Sequence, residues 1–275
     1  MTPTLCETQI ANTMELETRD SSNETESREQ MNRDDPSAYG ELIADVYDDW
    51  HGGHNAAAID TLHELARDRP VLELGIGTGR IALPLAQRGL QVHGIDASPA
   101  MVERLRAKQG GAGIPVTMGN FADVDVPGPF SLVFVAFNTF FALTSQEEQL
   151  RCFGNVAQRL LPNGLFVIEA FVPDVTRFSG NQTFRTTSIG DGQVRLEATI
   201  HDPVNQRSTT EHVVLSARGV RLIPVRIRYA WPAELDLMAK LAGLSLLHRW
   251  GSWARTPFTA DSKNHISVYE KPNHA

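Results

Sequence analysis

Val71-Leu72-Glu73-Leu74-Gly75-Ile76-Gly77-Thr78-Gly79-Arg80 runs a short apolar segment into three glycines at alternate positions, and helical spacing follows. Glycine lets the backbone turn sharply and approach a bound molecule with no Cβ in the way. The helix N-terminus beyond it offers free N–H groups to polar or negative atoms. The stretch therefore reads as strand, nucleotide-cofactor loop and helix. A dinucleotide fingerprint, G-x-G-x-x-G/A counted from Gly75, needs Gly or Ala at position 80, where Arg80 stands. That disfavours a nicotinamide oxidoreductase. What remains is E-x-G-x-G-x-G from Glu73, with Asp96 closing the next apolar run, Val92-His93-Gly94-Ile95-Asp96. An ionised Asp96 only accepts, so it can receive two hydroxyl donors at once. The plainer reading is a tight strand-to-helix turn, with Asp96 preceding the helix cap Ser98-Pro99.

Outward from this stretch, strand and helix signals alternate: Val71–Gly75, helix 79–89, Gln91–Asp96, helix 98–109, Ile114–Met118, Phe130–Phe137, helix 146–161 and Gly164–Phe171. Such alternation implies parallel strands joined by right-handed crossovers, an open α/β sheet with ligands at the strands' carboxyl ends. Upstream, Leu42, Ile43, Val46, Tyr47 and Trp50 give Tyr39 to Trp50 one buried helical face, and 56–67 is a second helix. Residues 182–230 break the rhythm. Phe184–Ile189, Val194–His201, Thr209–Ala217 and Val220–Tyr229 are β-rich and separated by turn residues, so antiparallel hairpins are expected. A helix from Pro232 to Ala242 and strands Leu244–Trp250 and His265–Lys271 complete the chain.

The 275 residues suffice for a full core, and 41% hydrophobic with 21% charged residues is ordinary for a globular protein. Residues 1–35 hold nine acids against three arginines, so most of the net charge of −8 lies there and the body is near neutral. No basic stripe suits nucleic acid. The expected organisation is a disordered tail (1–35), a core with an N-terminal helix (36–181), the inserted sheet (182–230) and the core's completion (231–275). No apolar run is long enough for a membrane span or signal peptide, so a cytoplasmic protein is expected, with a homodimer left open. Cys6 and Cys152 alone make a disulfide framework or cysteine metal site improbable, and His51-Gly-Gly-His54 reads as a polar turn rather than a metal pair.

The E-x-G-x-G-x-G loop with Asp96 resembles the first two motifs of S-adenosylmethionine-dependent methyltransferases of the Rossmann-like class, over most of residues 36–275. The resemblance implies a doubly wound sheet of order 3-2-1-4-5-7-6 with strand 7 antiparallel. It also implies S-adenosyl-L-methionine held by Glu73, Gly75, Gly77, Gly79, Arg80, Asp96 and Ala97, with Asp96 on the ribose hydroxyls. Asn120 stands where relatives carry an acid for the adenine amino group. Its amide oxygen can accept there instead, with Met101 and Phe121 about the ring and Phe137 passing the sulfonium.

The inserted sheet is similar to that of small-molecule N-methyltransferases of the glycine and amino-sugar type, which implies a substrate beneath it. Ala142 lies where amino-sugar relatives often carry a histidine, which removes the most obvious base. Glu169 and Tyr47 are then the catalytic candidates, Tyr47-Asp48 matching a recurrent lid pair. Tyr39, Asn138, Phe141, Phe171, Trp253 and Arg255 are the expected substrate contacts. Arg221, Arg226 and Arg228 read as a solvated strand face. The activity implied is methyl transfer to nitrogen or oxygen of a small molecule, the alternative being a cofactor-binding cyclase or sensor without methyl transfer.

Overall fold

The computed structural model describes residues 35–53, 55–190 and 192–273. The tail expected to be disordered, with Cys6, and His54 of the histidine pair lie outside the described residues. Seven strands form one sheet of order β10-β11-β5-β4-β1-β2-β3. They are β1 (Val71–Leu74), β2 (Val92–Asp96), β3 (Val116–Met118), β4 (Phe130–Val135), β5 (Leu160–Phe171), β10 (Ser245–Trp250) and β11 (Asn264–Glu270). β1 to β5 pair in parallel, whereas β11 runs antiparallel to both β5 and β10. This is the expected 3-2-1-4-5-7-6 order, with β10 and β11 as strands 6 and 7. β1 and β4 are buried on both faces, as their unbroken apolar runs require.

The helices are α1 (Ala38–Ile43), α2 (Tyr47–His51), α3 (Ala56–Ala66), α4 (Ala82–Gln87), α5 (Pro99–Ala107), α6 (Gln146–Arg159) and α7 (Pro232–Leu241). Their starts are written locally. Asn55, Ser98 and Ser145 cap α3, α5 and α6 by accepting from Ala57, Met101 and Glu148 N–H, and Pro99 and Pro232 occupy first turns. Two helices depart from expectation. The stretch from Tyr39 to Trp50 is split into α1 and α2 by a break at 44–46, and α4 begins only at Ala82, because the glycine loop continues to Ile81.

β6 (Gln182–Gly190), β7 (Gln193–Asp202), β8 (Arg207–Ser216) and β9 (Gly219–Arg228) form a separate antiparallel meander. Its root is held by Arg228, which is 6% exposed and so not on the solvated face expected for it. Its guanidinium donates to Gln149 Oε1 at 2.6 Å and Glu234 Oε1 at 2.7 Å, tying β9 to α6 and α7. Gln149 Nε2 donates back to the Arg228 carbonyl at 2.7 Å, and Gln146 and Gln206 donate to Glu234. Burial alone would raise the Glu234 carboxyl, but these donors outweigh it and hold it below its usual range.

Arg228→Met should therefore destabilise the protein by about 3 kcal/mol near neutral pH, by stranding a partly buried carboxylate. Glu234 has a depressed pKa, so its contribution is present above the unfolded carboxylate pKa and lost as pH falls. Urea unfolding at pH 7 and pH 4 should show the smaller difference between variant and wild type at pH 4.

Candidate active site

The carboxyl ends of β1, β2 and β4 converge on the glycine loop. Gly75, Gly77 and Gly79 all have positive φ, at 70°, 53° and 79°. At Gly79 an added Cβ would lie 2.3 Å from Leu105 Cδ1, so this glycine lets the loop pack on α5. At Gly77 an added Cβ would meet nothing within 4 Å, so its open side is the one available to a ligand. Gly77 N–H donates to Asp96 Oδ2 at 2.7 Å, and Ser98 N–H donates to Asp96 Oδ1 at 2.9 Å. Each Asp96 oxygen thus retains a lone pair for a further donor. Burial raises the Asp96 carboxyl, opposed by the N–H groups of Ser98, Gly77 and Ala97, while Glu41 adds to the rise.

Glu73 is 5% exposed and its Oε2 has no hydrogen-bond partner among the described residues. Burial lifts its carboxyl well above the usual range, against the opposing Arg80 charge and Ala82 N–H. A buried acceptor without a donor is costly. The orphan oxygen, the open side of Gly77 and the spare lone pairs on Asp96 suit a ligand carrying a cationic amine and ribose hydroxyls.

The first two helices close over this loop. Gly40 has no room for a Cβ, which would lie 2.5 Å from Ser98 Cβ, and Glu41 accepts from Ser98 Oγ and Ala100 N–H at the start of α5. Asp48 accepts from Thr78 Oγ1 at 2.6 Å and pairs with Lys108 at 2.7 Å, while Lys108 donates to the Thr78 carbonyl at 2.8 Å. Glu41, Thr78 and Lys108 carried no signal in the sequence, because single polar residues in ordinary helix and loop contexts do not announce distant partners.

These contacts seat Tyr47 and His51 beside the loop. The rings of Tyr47 and His51 are 4.9 Å apart, His51 meets Phe137 edge-on at 5.2 Å, and the Arg80 guanidinium lies 4.6 Å over the Phe137 ring. Burial raises the Tyr47 phenol; Arg80 opposes this, while Glu73, Asp48 and Asp96 add to it, which places Tyr47 among the loop's charges. Burial also raises the Tyr39 phenol. Tyr39 packs with Tyr47, Val46 and Trp50 around Ile43 and Met101.

After β4 the chain turns through Phe137 and Asn138, both at positive φ. Glu169 fixes the turn: its Oε2 accepts from Phe137 N–H at 2.8 Å and its carbonyl from Asn138 N–H. Asn138 Oδ1 accepts from Phe171 N–H at 2.7 Å. Both side chains thus stitch β4 to β5 and aim the exposed Phe137 ring. Asn120, expected at the adenine, uses Oδ1 to accept from Ala122 N–H and donates from Nδ2 to Glu148. Met101 and Phe121 sit in two different apolar clusters, at 5% and 8% exposure.

Three expected substrate contacts lie elsewhere. Phe141 is wholly buried, edge-on to Phe171, so it supports the site from within. Trp253 and Arg255 do occupy the loop at the carboxyl end of the sheet, but that loop folds onto α3. Trp253 is buried among Ala58, Ile59 and Leu62, its carbonyl accepting from Thr61, and Arg255 binds Glu64 at 2.6 Å and caps the Trp250 ring. Arg221, on the exposed face expected for it, pairs with Asp45 and donates to the Leu42 carbonyl, and so fastens β9 to the end of α1. A cleft of about 540 Å³ opens between α2 and the inserted sheet, lined in part by Asp49, Trp50, Arg195 and Arg218.

Known proteins share this arrangement. The methyltransferase domain family matches residues 71–164. The CcbJ methyltransferase from Streptomyces caelestis is 44% identical in sequence, superposes with a TM-score of 0.81, and is matched over 86% of this chain and 99% of its own. Cypemycin N-terminal methyltransferase from a Streptomyces species is 29% identical over 242 residues, 86% of this chain and 99% of the relative. The amino pentose methyltransferase CalS10 from Micromonospora echinaspora, solved with S-adenosylmethionine bound, shares the fold at a TM-score of 0.60 and 20% identity, covering 89% of this chain and 96% of its own. The fold and loop define a Rossmann-like methyltransferase. The chain belongs to the S-adenosylmethionine-dependent methyltransferases, and S-adenosylmethionine is its cofactor.

Two outcomes test the loop. Asp96→Ala should weaken S-adenosylhomocysteine binding at least tenfold, about 1.4 kcal/mol, in a calorimetric titration. Burial raises the Glu73 carboxyl in the fold above its unfolded value, so without ligand its contribution to stability falls as pH rises above the unfolded carboxylate pKa. Glu73→Gln should therefore raise the melting temperature of the cofactor-free protein increasingly from pH 5 to pH 8, while weakening S-adenosylhomocysteine binding.

Proposed function

We propose that the enzyme methylates nitrogen of a small molecule, an amine in secondary metabolism, in the cytoplasm. The observation that carries this reading is the locus where α2 meets the Phe137 turn: two aromatic residues and His51 gather there, while Glu169 already accepts from the Phe137 backbone. A neutral amine has its own lone pair and needs positioning more than activation, whereas a hydroxyl needs its proton taken. The names of the relatives support nitrogen, since one is an N-terminal methyltransferase and another, from Saccharopolyspora spinosa, an N,N-dimethyltransferase of an amino sugar nucleotide.

In this reading Gly75, Gly77, Gly79, Arg80, Asp96 and Ala97 hold the cofactor, with Asp96 on the ribose and Glu73 taking the amino group through its unpartnered oxygen. Asn120 meets the adenine edge by its second lone pair, and Met101 and Phe121 back the ring from their clusters. When bound, the cofactor supplies an electrophilic methyl group on a sulfonium. Phe137, Tyr47 and His51 wall the place where that methyl meets the acceptor and exclude water from it. A cation beside aromatic faces is favourable, which suits both the sulfonium and an arriving amine. Tyr39 and Phe171 shape the wall from behind, and Glu169 and Asn138 position Phe137.

Incubation with S-adenosylmethionine and three acceptors, a short peptide with a free N-terminus, an amino sugar nucleotide and a catechol, tests the reading by mass spectrometry of the products. Methyl gain on an amine, with S-adenosylhomocysteine accumulating, is expected; methylation confined to the catechol would overturn it. Phe137→Ala should lower kcat on the accepted amine at least tenfold while leaving S-adenosylhomocysteine affinity within threefold.

A further inference from the structure

The cleft between α2 and the tip of the inserted sheet has a charge pattern that neither the cofactor loop nor the aromatic wall at Phe137 uses. Its floor is one face of the meander, where by register Arg195 on β7, Val214 on β8 and Arg221 on β9 stand in one row. Arg218, in the turn from β8 to β9, lines the same space. Asp49 and Trp50 on α2, with Asp45 just before it, form the opposite wall. α2 thus has two sides: Tyr47 and His51, one helical turn apart, stand together toward Phe137, while Asp49 and Trp50 line the cleft.

Three arginines and two aspartates line the cleft, and only part of that charge is matched within the chain. Arg221 holds Asp45 with both terminal nitrogens, at 3.0 and 2.8 Å, so this pair is satisfied. Arg195 is not. Its guanidinium lies 4.7 Å over the Trp50 ring, and a ring face attracts a cation without supplying the oxygen acceptors that a guanidinium fork fits. Its Nε is buried and has no hydrogen-bond partner among the described residues, and no carboxylate among them pairs with it. The Arg218 backbone N–H donates to Ser216 Oγ at 3.2 Å, while its exposed guanidinium likewise pairs with no carboxylate among the described residues. Asp49, exposed on α2, is bound to neither arginine.

We propose that this cleft binds a small molecule through a carboxylate, which Arg195 and Arg218 receive while the molecule's apolar part lies against Trp50 and Val214. A guanidinium fork matches a carboxylate in plane and spacing, and a buried donor left without an acceptor gains most from one that arrives. Charge selects a carboxylate over a phosphate. With Arg221 and Asp45 neutralising each other, Arg195 and Arg218 exceed Asp49 by one positive charge. A monoanion balances that charge, whereas a dianion overshoots it and meets repulsion from Asp49. The cleft's volume of about 540 Å³ falls within the range of about 300–1,000 Å³ typical of small-molecule sites. Such a site holds whether nitrogen or oxygen takes the methyl group.

NMR of the full-length protein with labelled arginine and tryptophan tests the assignment at pH 8. The probes are 3-phenylpropionate and indole-3-propionate, beside the primary amide of each and 3-phenylpropylphosphonate. Either acid should shift the Arg195 Nε–H and Trp50 indole N–H signals saturably, with a Kd on the order of 1 mM, and the amides should bind at least tenfold more weakly. Arg195→Gln and Arg218→Gln should each weaken the acid at least threefold, and S-adenosylhomocysteine affinity within threefold of wild type reports that both variants are folded. Because Arg218 lies in an exposed turn, its variant carries the test if Arg195→Gln fails to fold. No saturable shift with either acid, amides that bind as tightly as the acids, or affinity unchanged in the folded variants would overturn the site. A phosphonate bound tenfold more tightly than the acids would overturn the choice of carboxylate.

Discussion

The hydrogen bond from Gly77 N–H to Asp96 Oδ2 is the contact around which the rest of the site is arranged. It joins the loop leaving β1 to the end of β2, and it forms only because Gly77 adopts a φ of 53° that few side chains accept. With the loop held there, Thr78 presents its hydroxyl to Asp48 and its carbonyl to Lys108, and Gly79 packs against Leu105. Loop, second strand and lid are therefore a single polar assembly. Glu73, one strand position below, is left with an oxygen that nothing in the chain satisfies. A protein that keeps such a group stores an unfavourable burial that a ligand donor can relieve. The free energy recovered when that donor arrives becomes part of the ligand's affinity.

The inserted sheet is fastened at two ends by charge. At its root Arg228 is held by Gln149 and Glu234, and at its tip Arg221 holds Asp45, in the break after the first helix. The first pair is buried and the second exposed, and that difference sets their stiffness. An exposed pair contributes about 1 kcal/mol or less and is screened by salt, whereas a buried, multiply bonded pair is costly to break. The meander is thus held firmly at its root and lightly at its tip. The Asp45 contact lies in the break just before the helix that carries Tyr47 and His51.

The alternation of strands and helices and the meander were legible in the sequence, because each rests on local periodicity and turn chemistry, whereas the order of the sheet followed from the family resemblance. The glycine loop and Asp96 were legible for the same reason: spacing along the chain is the geometry. What could not be read depends on partners far away in sequence. Nothing local marks Trp253 as core, since an aromatic in a loop reads as exposed until α3 is seen beneath it. Arg228 sits on a strand with other arginines and looks solvated until Gln149 and Glu234 close round it. The break at 44–46 is a further case. One continuous helix buries the same apolar face, but Asp45 must meet Arg221 while Asp48 meets Thr78, and the two partners lie on different bodies. Tertiary contacts decided that local structure, against the helical periodicity.

The acceptor side of the site depends on contacts of the same long-range kind. Where amino-sugar relatives often carry a histidine after β4, the chain has the exposed Ala142, and the nearby Glu169 already accepts from Phe137 N–H in fixing the turn. On the opposite side, β7 and β8 bring Glu197 and His212 into register on the face that meets α2. Arg185 pairs with one oxygen of Glu197, and His212 Nδ1 lies 3.5 Å from the other. The core holds the cofactor loop, and the insertion brings its polar face against the helix that carries Tyr47 and His51. Substitution within the insertion can therefore retune the acceptor side without disturbing the bond between Gly77 and Asp96.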